Sequence, residues 1–338
     1  MSTLGKLLET YYREHPVLLP WRVDPTPYHV WISEVMLQQT RVETVRSYYL
    51  DFLEAFPTLD SFASAEEDRY LKQWEGLGYY SRVRNMHRTA LELQKTHGGA
   101  FPSTFEELSK LPGIGPYTAS AIASIAFHQK EVAVDGNLVR VASRYFATPW
   151  NPKSEKDKGL VRLRLKEEMD IDPSVFNQAL MDIGRTICLP HGAPLCGECP
   201  LKQHCVAHKR NEELFYPQAS LSKPKKEENR TIVLIECQGK TYLEKRPEKG
   251  LLASLYQPLN LEGHLNEEEV IAYLSDMGLP ALSIEDLGPS KHVFSHVIWH
   301  MKGYLVRVKE SNKGMLFVGE KERKERYSIP SAFLAYLP

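Results

Sequence analysis

No stretch of about 18 consecutive apolar side chains occurs in the 338 residues, and Met1 to Thr10 lack the apolar core of a secretory leader. The chain therefore reads as cytoplasmic, with no membrane partner. An excess of positive charge is missing as well: 42 Lys and Arg stand against 43 Asp and Glu, and residues 1–216 hold 25 basic and 27 acidic side chains. Bulk attraction to a polyanion is thus excluded, and any nucleic-acid contact must be a local patch. Arg82, Arg84, His87 and Arg88 form such a patch, which could equally be a solvated face. Cysteine is scarce. Of five, four fall between positions 188 and 205 and Cys237 stands alone, which in a cytosolic chain argues for metal rather than disulfides. The length exceeds one usual domain, so two are expected.

The most informative stretch is 105–144, FEELSKLPGIGPYTASAIASIAFHQKEVAVDGNLVRVASR. Phe105, Leu108 and Leu111 have helical spacing, Pro112 bars continuation, and Gly113 and Gly115 supply the open backbone of a tight turn. Pro116 suits the first position of a second helix, whose apolar face carries Ile122, Ile125 and Ala126. The bare N-terminus of that helix, with the N–H groups of Ile114 and Gly115 turned outward, would receive a phosphate. An ordinary helical corner is the plain alternative. Asp135 follows a short β-branched run and precedes another helix pattern, which makes it a natural N-cap. The same position would keep a carboxylate ionised beside a developing cation.

A helix over about Tyr28 to Leu50 carries Glu34 among Val30, Trp31, Ile32, Val35, Met36 and Leu37, with Glu34, Gln38 and Arg41 on one polar stripe. A covered stripe would raise the pKa of Glu34, whereas an exposed one would make it a partner of Arg41. One carboxyl placed to stay neutral and another placed to stay charged are what cleavage of a glycosidic bond needs. The cysteines run C-x7-C-x2-C-x5-C, at Cys188, Cys196, Cys199 and Cys205. One close pair with two outlying thiols suits a four-thiolate 4Fe-4S cluster, with zinc as the alternative.

LPGIGPYTA followed by VDGNLVRV resembles the helix-hairpin-helix DNA glycosylases of the endonuclease III superfamily. YHVWISEVMLQQTRVETV and WEGLGYYSRVRN are similar to one branch, the adenine DNA glycosylases of the MutY family. The resemblance covers most of residues 18–205. It implies that the hairpin grips the DNA backbone through Gly113 and Gly115, that Glu34 protonates adenine, and that Asp135 stabilises the sugar cation. It further implies that Asn137 and Tyr117 support the transition state, that Arg22 and Gln178 lie near the extruded base, and that Gln39 and Tyr79 enter the duplex beside the opposite base. Tyr117 stands where the bifunctional glycosylase-lyases carry a Schiff-base lysine, so a monofunctional hydrolase is expected. The family binds one 4Fe-4S cluster, and its members suggest a monovalent cation at the hairpin. The first cysteine spacing is one residue longer than the family's C-x6-C.

Residues 217–229, polar and proline-bearing, read as a linker between a domain spanning 1–216, which includes the cluster loop 188–205, and another spanning 230–338. In the latter, TIVLIECQGKTYLEKRP reads as a hairpin with a Gln-Gly turn, VIWHMKGYLVRVKE as further strand, and Glu267 to Met277 as a helix. The pattern resembles the MutT-like (Nudix-fold) C-terminal domain of the MutY family, and Phe294, Ser295 and His296 match its 8-oxoguanine-sensing loop. Glu267, Glu268 and Glu269 in tandem cannot all face one Mg2+, so nucleotide hydrolysis is not expected. LASLYQPLN also departs from the family's L-W-x-F-P pattern.

The expected fold is a mainly α helix-hairpin-helix glycosylase domain with an iron-sulfur module, followed by an α+β MutT-like domain. The expected activity is excision of adenine opposite 8-oxoguanine or guanine in double-stranded DNA, by a monomer. A pyrimidine-type glycosylase-lyase of the same fold is disfavoured by Tyr117 and by the C-terminal domain. A non-catalytic iron-sulfur DNA-binding protein would have no use for the two carboxylates.

Overall fold

A computed structural model describes residues 2–218 and 224–337. The chain divides into two compact units, Met1–Ser64 with Asn85–Leu221, and Ala65–Arg84 with Ser222–Pro338.

Helices follow one another through the first two thirds: α1 (Thr3–Glu14), α2 (Pro20–Val23), α3 (Pro27–Leu37), α4 (Val42–Ala55), α5 (Leu59–Ala63), α6 (Glu67–Gln73), α7 (Ser81–His97), α8 (Phe105–Leu108), α9 (Pro116–Ile125), α10 (Gly136–Phe146), α11 (Glu155–Glu168), α12 (Pro173–Thr186) and α13 (Val206–Arg210). Local chemistry sets many of their starts. Ser2, Thr26, Thr104, Ser154 and Asp172 cap α1, α3, α8, α11 and α12 through their side chains, and proline opens α2, α3, α9 and α12.

The single helix expected over Tyr28 to Leu50 is two. Gln39 adopts a left-handed conformation with φ 61°, and α4 restarts after Arg41. The polar Gln-Gln-Thr segment has no apolar side chain to bury, so nothing holds it in the helix. Arg41 consequently leaves the stripe it was expected to share with Glu34 and Gln38. Both α3 and α9 are buried along most of their length, and their apolar residues form much of the core around Trp31, Ile32, Ala121 and Ile122. A second cluster joins α1, α10 and α12 through Leu4, Leu8, Val139, Phe176 and Ile183.

The other unit is built on a seven-stranded mixed sheet: β1 (Lys226–Cys237), β2 (Lys240–Lys245), β3 (Tyr256–Gln257), β4 (Leu259–Glu262), β5 (Ala281–Val293), β6 (Val297–Val308) and β7 (Leu316–Val318). Strand begins at Lys226, inside the stretch read as linker, because Lys226 to Glu236 pair in parallel with Val297 to Arg307. The β1–β2 turn is the expected Gln238-Gly239, with φ of 51° and 75°, and both positive values suit a tight hairpin. Alternate residues of β1 serve opposite faces. Ile232 and Leu234 pack with Trp299 and Phe333, whereas Val233 and Ile235 pack with Val270 and Leu274 of α14 (Glu267–Asp276). Burial on both faces explains why Ile232 to Ile235 are apolar without a break. A last helix, α15 (Glu320–Arg326), precedes the C-terminal turn.

Residues 65–84 belong to this unit through specific bonds: Lys245 Nζ to Asp68 at 2.8 Å, Tyr256 Oη to Asp68 at 3.1 Å, and the Ile329 N–H to Glu75 at 2.7 Å. Among the described residues, no helix is long and apolar enough to cross a membrane.

Candidate active site

Glu34 projects from the buried helix α3 and is 4% exposed. Its Oε2 accepts a 2.5 Å hydrogen bond from the Tyr117 hydroxyl on α9. Burial pushes its pKa up from 4.5 to about 7, against the Tyr117 bond and the charge of Arg22, and the Asp135 charge adds to the rise. Tyr117 itself is raised well above its ordinary value by burial and by both carboxylates. It therefore stays a neutral donor.

Asp135 is the N-cap of α10. Its Oδ1 accepts from the Leu138 N–H at 2.7 Å and its Oδ2 from Asn137 Nδ2 at 2.8 Å. A helix N-terminus alone would depress this carboxyl, yet burial outweighs the bonds from Leu138 and Asn137 and the charge of Arg140, and its pKa is raised. The two carboxyls are thus shifted in the same direction. Burial carries Glu34 up to about 7.

Both carboxyls line one cavity of about 600 Å3, together with Arg22, Tyr117, Asn137 and Gln178. Arg22, on α2, is held in a two-pronged ion pair by Asp182 of α12, with Nη1 to Oδ2 at 2.7 Å and Nη2 to Oδ1 at 3.0 Å. Gln178 is buried and donates to Ser174 Oγ at 2.7 Å. Arg140 donates to Asn137 Oδ1 at 2.9 Å and to the Cys188 carbonyl at 2.7 Å, so one side chain spans from the carboxylate's neighbour to the cysteine loop. Neither Asp182 nor Arg140 was singled out from sequence. Each sits at an unremarkable helical position, and only its partner from a distant segment gives it a role.

At the hairpin the Ile114 N–H is taken by the Leu111 carbonyl at 3.2 Å, which closes the turn. It is therefore not one of the outward donors expected. Gly115 caps α9, and beside it lies an open depression of about 320 Å3 bordered by Gly113, Gly115, Pro116, Lys158 and Arg162. The two cations, from α11, were also missed by the sequence reading. Gly113 has φ +75°, and a Cβ there would lie 2.5 Å from Asn85 Cβ, whereas a Cβ at Gly115 meets nothing within 4 Å. Gly113→Ala is expected to lower the unfolding free energy by about 1–3 kcal/mol and Gly115→Ala to leave it nearly unchanged, as thermal melting would read.

Gln39 is exposed at the α3–α4 turn. The basic patch is largely tied down. Arg82 is buried and donates to the Leu77 and Gly78 carbonyls at 2.9 and 3.1 Å, Arg84 donates to the Ala253 carbonyl at 2.6 Å, and His87 lies 3.1 Å from the Ala63 carbonyl. Burial lowers the pKa of Arg82 to about 10. Its guanidinium braces the turn that carries Tyr79, whose ring it faces at 5.7 Å. Tyr79 is 46% exposed, with φ 47°.

Within the sheet-bearing unit, Tyr79 borders a second cavity, of about 560 Å3, together with Phe294, Ser295 and His296. The triplet forms the β5–β6 turn. Phe294 packs edge-on against Trp299 at 4.9 Å, and Ser295 Oγ lies 3.1 Å from His296 Nδ1. Residues more than 200 positions apart in sequence thus share one recess.

Cys188, Cys196, Cys199 and Cys205 surround a small hollow of about 30 Å3, and all are free thiols. Burial, then the charge of Glu213 and after it those of Cys205 and Cys188, pushes Cys196 up to about 11. Burial also takes Cys199 up to about 12 against a backbone bond from Leu201, and it raises Cys205. Four thiols gathered around one hollow fit a cationic metal centre, which would offset the charge they carry when ionised. Arg144 Nη1, at 3.3 Å from Cys188 Sγ, provides part of that offset. A mixed grouping, Cys196, His208 and Glu213, brings its ligand atoms within 4.8 Å of one another and shares one thiol with the first set.

The family model described as HhH-GPD superfamily base excision DNA repair protein matches residues 32–166, and a NUDIX domain model matches residues 230–337. The chain is 35% identical over 299 residues to the adenine DNA glycosylase of Buchnera aphidicola subsp. Baizongia pistaciae (strain Bp), covering 86% of this chain and 82% of that one. It is 31% identical to that of Buchnera aphidicola subsp. Acyrthosiphon pisum (strain APS), over 96% and 91% of the two chains, and 34% identical to that of Rattus norvegicus, over 88% and 69%. Among solved structures, a thermostable thymine-DNA glycosylase superposes with a TM-score of 0.56 and a non-covalent endonuclease III–DNA complex with 0.52, each at 24% identity. They cover 61% and 62% of this chain, and 95% and 99% of their own. At that identity they speak to the fold alone, which is helix-hairpin-helix, with a Nudix domain following it.

Proposed function

The chain belongs to the adenine DNA glycosylase family, and from that premise we propose that it removes adenine mispaired with 8-oxoguanine or guanine from duplex DNA, acting as a monomer. The general role, base-excision repair by hydrolysis of an N-glycosidic bond, comes with family membership. The observation that carries the finer reading is the common cavity of Glu34 and Asp135, with Glu34 near pKa 7.

In this mechanism Glu34 acts in its protonated form. Oε2 accepts the Tyr117 hydrogen bond, so the proton resides on Oε1, free to pass to a ring nitrogen of the extruded adenine. The bond between base and sugar breaks with its electron pair leaving on the base. The Asp135 carboxylate, held by Leu138 and Asn137, then faces the positive sugar until water adds. Burial that excludes solvent strengthens this interaction. Tyr117 has no amine, so no Schiff base forms and the strand remains uncut. Tyr79 and the Phe294–His296 turn would read the base opposite adenine, and Gln39 would fill the gap that flipping leaves. The hairpin, with Lys158 and Arg162, would hold a backbone phosphate.

Cys188, Cys196, Cys199 and Cys205 would hold a 4Fe-4S cluster. When bound, it supplies a cross-link that fixes the loop packed on Arg140 and Arg144.

The test is single-turnover adenine release from duplexes carrying A opposite 8-oxoguanine, guanine or thymine. Release should be fastest with 8-oxoguanine, slower with guanine, and slowest with thymine, with no borohydride-trapped adduct. Equal rates on all three, or a trapped adduct, would overturn the reading.

A further inference from the structure

We propose that Asp182 is the positioning residue that presents Arg22 to the extruded base, an inference that rests on the adenine-excision reading above. Arg22 sits on α2, a helix of only four residues, and its long side chain loses about 2 kcal/mol of rotamer freedom when fixed. A segment that short does not hold a guanidinium in one plane. Asp182 does so from the long helix α12: both carboxylate oxygens take a donor, at 2.7 and 3.0 Å, and this paired geometry sets the plane as well as the place of the group. Two of the five guanidinium N–H donors are used in that pair. Arg22 lines the cavity that Glu34, Asp135 and Gln178 also line, with three donors left over for a ligand.

The carboxylate is costly where it stands. Its side chain is 3% exposed, its other cation, Arg185, is at 3.4 Å, and the Arg22 side chain is 13% exposed. Buried ion pairs seldom add stability over well-packed apolar residues of similar size. Asp182 lies on the face of α12 that lines the cavity with Gln178 and Arg185, away from Phe176 and Leu180 in the core, and an acid held there is better explained by what it does to Arg22 than by what it does for the core. A placed arginine contributes to rate rather than to duplex affinity, since it meets the base only after extrusion, and misplacement by about 1 Å is enough to cost roughly 100-fold.

The experiment measures single-turnover adenine release and duplex affinity for wild type, Arg22→Met, Asp182→Asn, Asp182→Glu and the Arg22→Met/Asp182→Asn double variant. Asp182→Asn should slow release by about 10- to 100-fold with affinity within about threefold of wild type. Asp182→Glu, which restores the charge one methylene further out, should recover part of the rate. The double variant should be no slower than Arg22→Met alone, because Asp182 acts only through Arg22. Release by Asp182→Asn within about twofold of wild type would overturn the proposal. So would multiplicative losses in the double variant, or a parallel loss of rate, affinity and melting temperature without rescue by Glu. Glu34→Gln run alongside separates the two ideas. If it too remains active, the excision chemistry fails, whereas an inert Glu34→Gln beside a normal Asp182→Asn sinks only the positioning role.

Discussion

Glu34→Gln is expected to slow adenine release by at least about 10³-fold while duplex affinity stays close to that of wild type. Gln is nearly isosteric and can still accept from Tyr117, so the cavity keeps its shape and loses only the proton. Asp135→Asn should be as damaging. It leaves α10 capped but removes the negative charge from the site where the sugar becomes positive. The pH profile follows from the same burial. Glu34 must be protonated, so the rate should fall about tenfold per pH unit above about 7, and Asp135 must be ionised, so it should also fall at acid pH, below a value raised from 3.8. Loss of the alkaline limb in Glu34→Asp, or normal release by either amide variant, would remove the mechanism.

The acid is also a burden on stability. A carboxyl whose folded-state pKa rises from 4.5 to about 7 costs nothing while it is protonated in both states, at low pH. The cost grows as pH rises between those values and is complete above 7, at about 3 kcal/mol. Glu34→Gln should therefore melt several degrees above wild type at pH 8.5, with the gap closing toward pH 5. The burial that makes Glu34 a burden on the fold also holds its Oε2 2.5 Å from the Tyr117 hydroxyl, and the proposed acid role would account for a carboxyl in so costly a place.

Anaerobically purified protein should be coloured, absorbing near about 400 nm, with roughly four irons per chain, and Cys199→Ser should lose both. His208→Ala decides between the two donor sets. A four-thiolate cluster survives it, whereas a site built on Cys196, His208 and Glu213 does not. A colourless chain with one zinc that His208→Ala releases would reject the cluster. The Cys188–Cys196 segment includes an exposed turn at His191 and Gly192, where Gly192 has φ +71° and open space around it, and such a turn is expected to take up a longer spacing without loss of the cluster, as the iron count would show.

Much of this was legible in order along the chain. Capping residues, prolines and glycine pairs act within a few residues of themselves, and so the hairpin at 112–116, the cap at Asp135 and the Gln238-Gly239 turn follow from local physics. Where the local signal was weak, expectation and structure part: the helix through Gln39 breaks, the Ile114 N–H turns inward, and the basic patch at 82–88 is largely engaged with backbone carbonyls.

By itself the sequence determined which groups are present and where the backbone bends, because residue type and spacing act over one or two turns of chain. Only the tertiary structure decided what those groups meet. The pKa of Glu34 depends on the burial of α3 and on Tyr117, 83 positions away; Arg22 is aimed by a carboxylate 160 positions on; and Tyr79 shares a recess with Phe294. Solvent exclusion and close approach belong to the packed molecule, and they turn an ordinary glutamate into an acid at neutral pH.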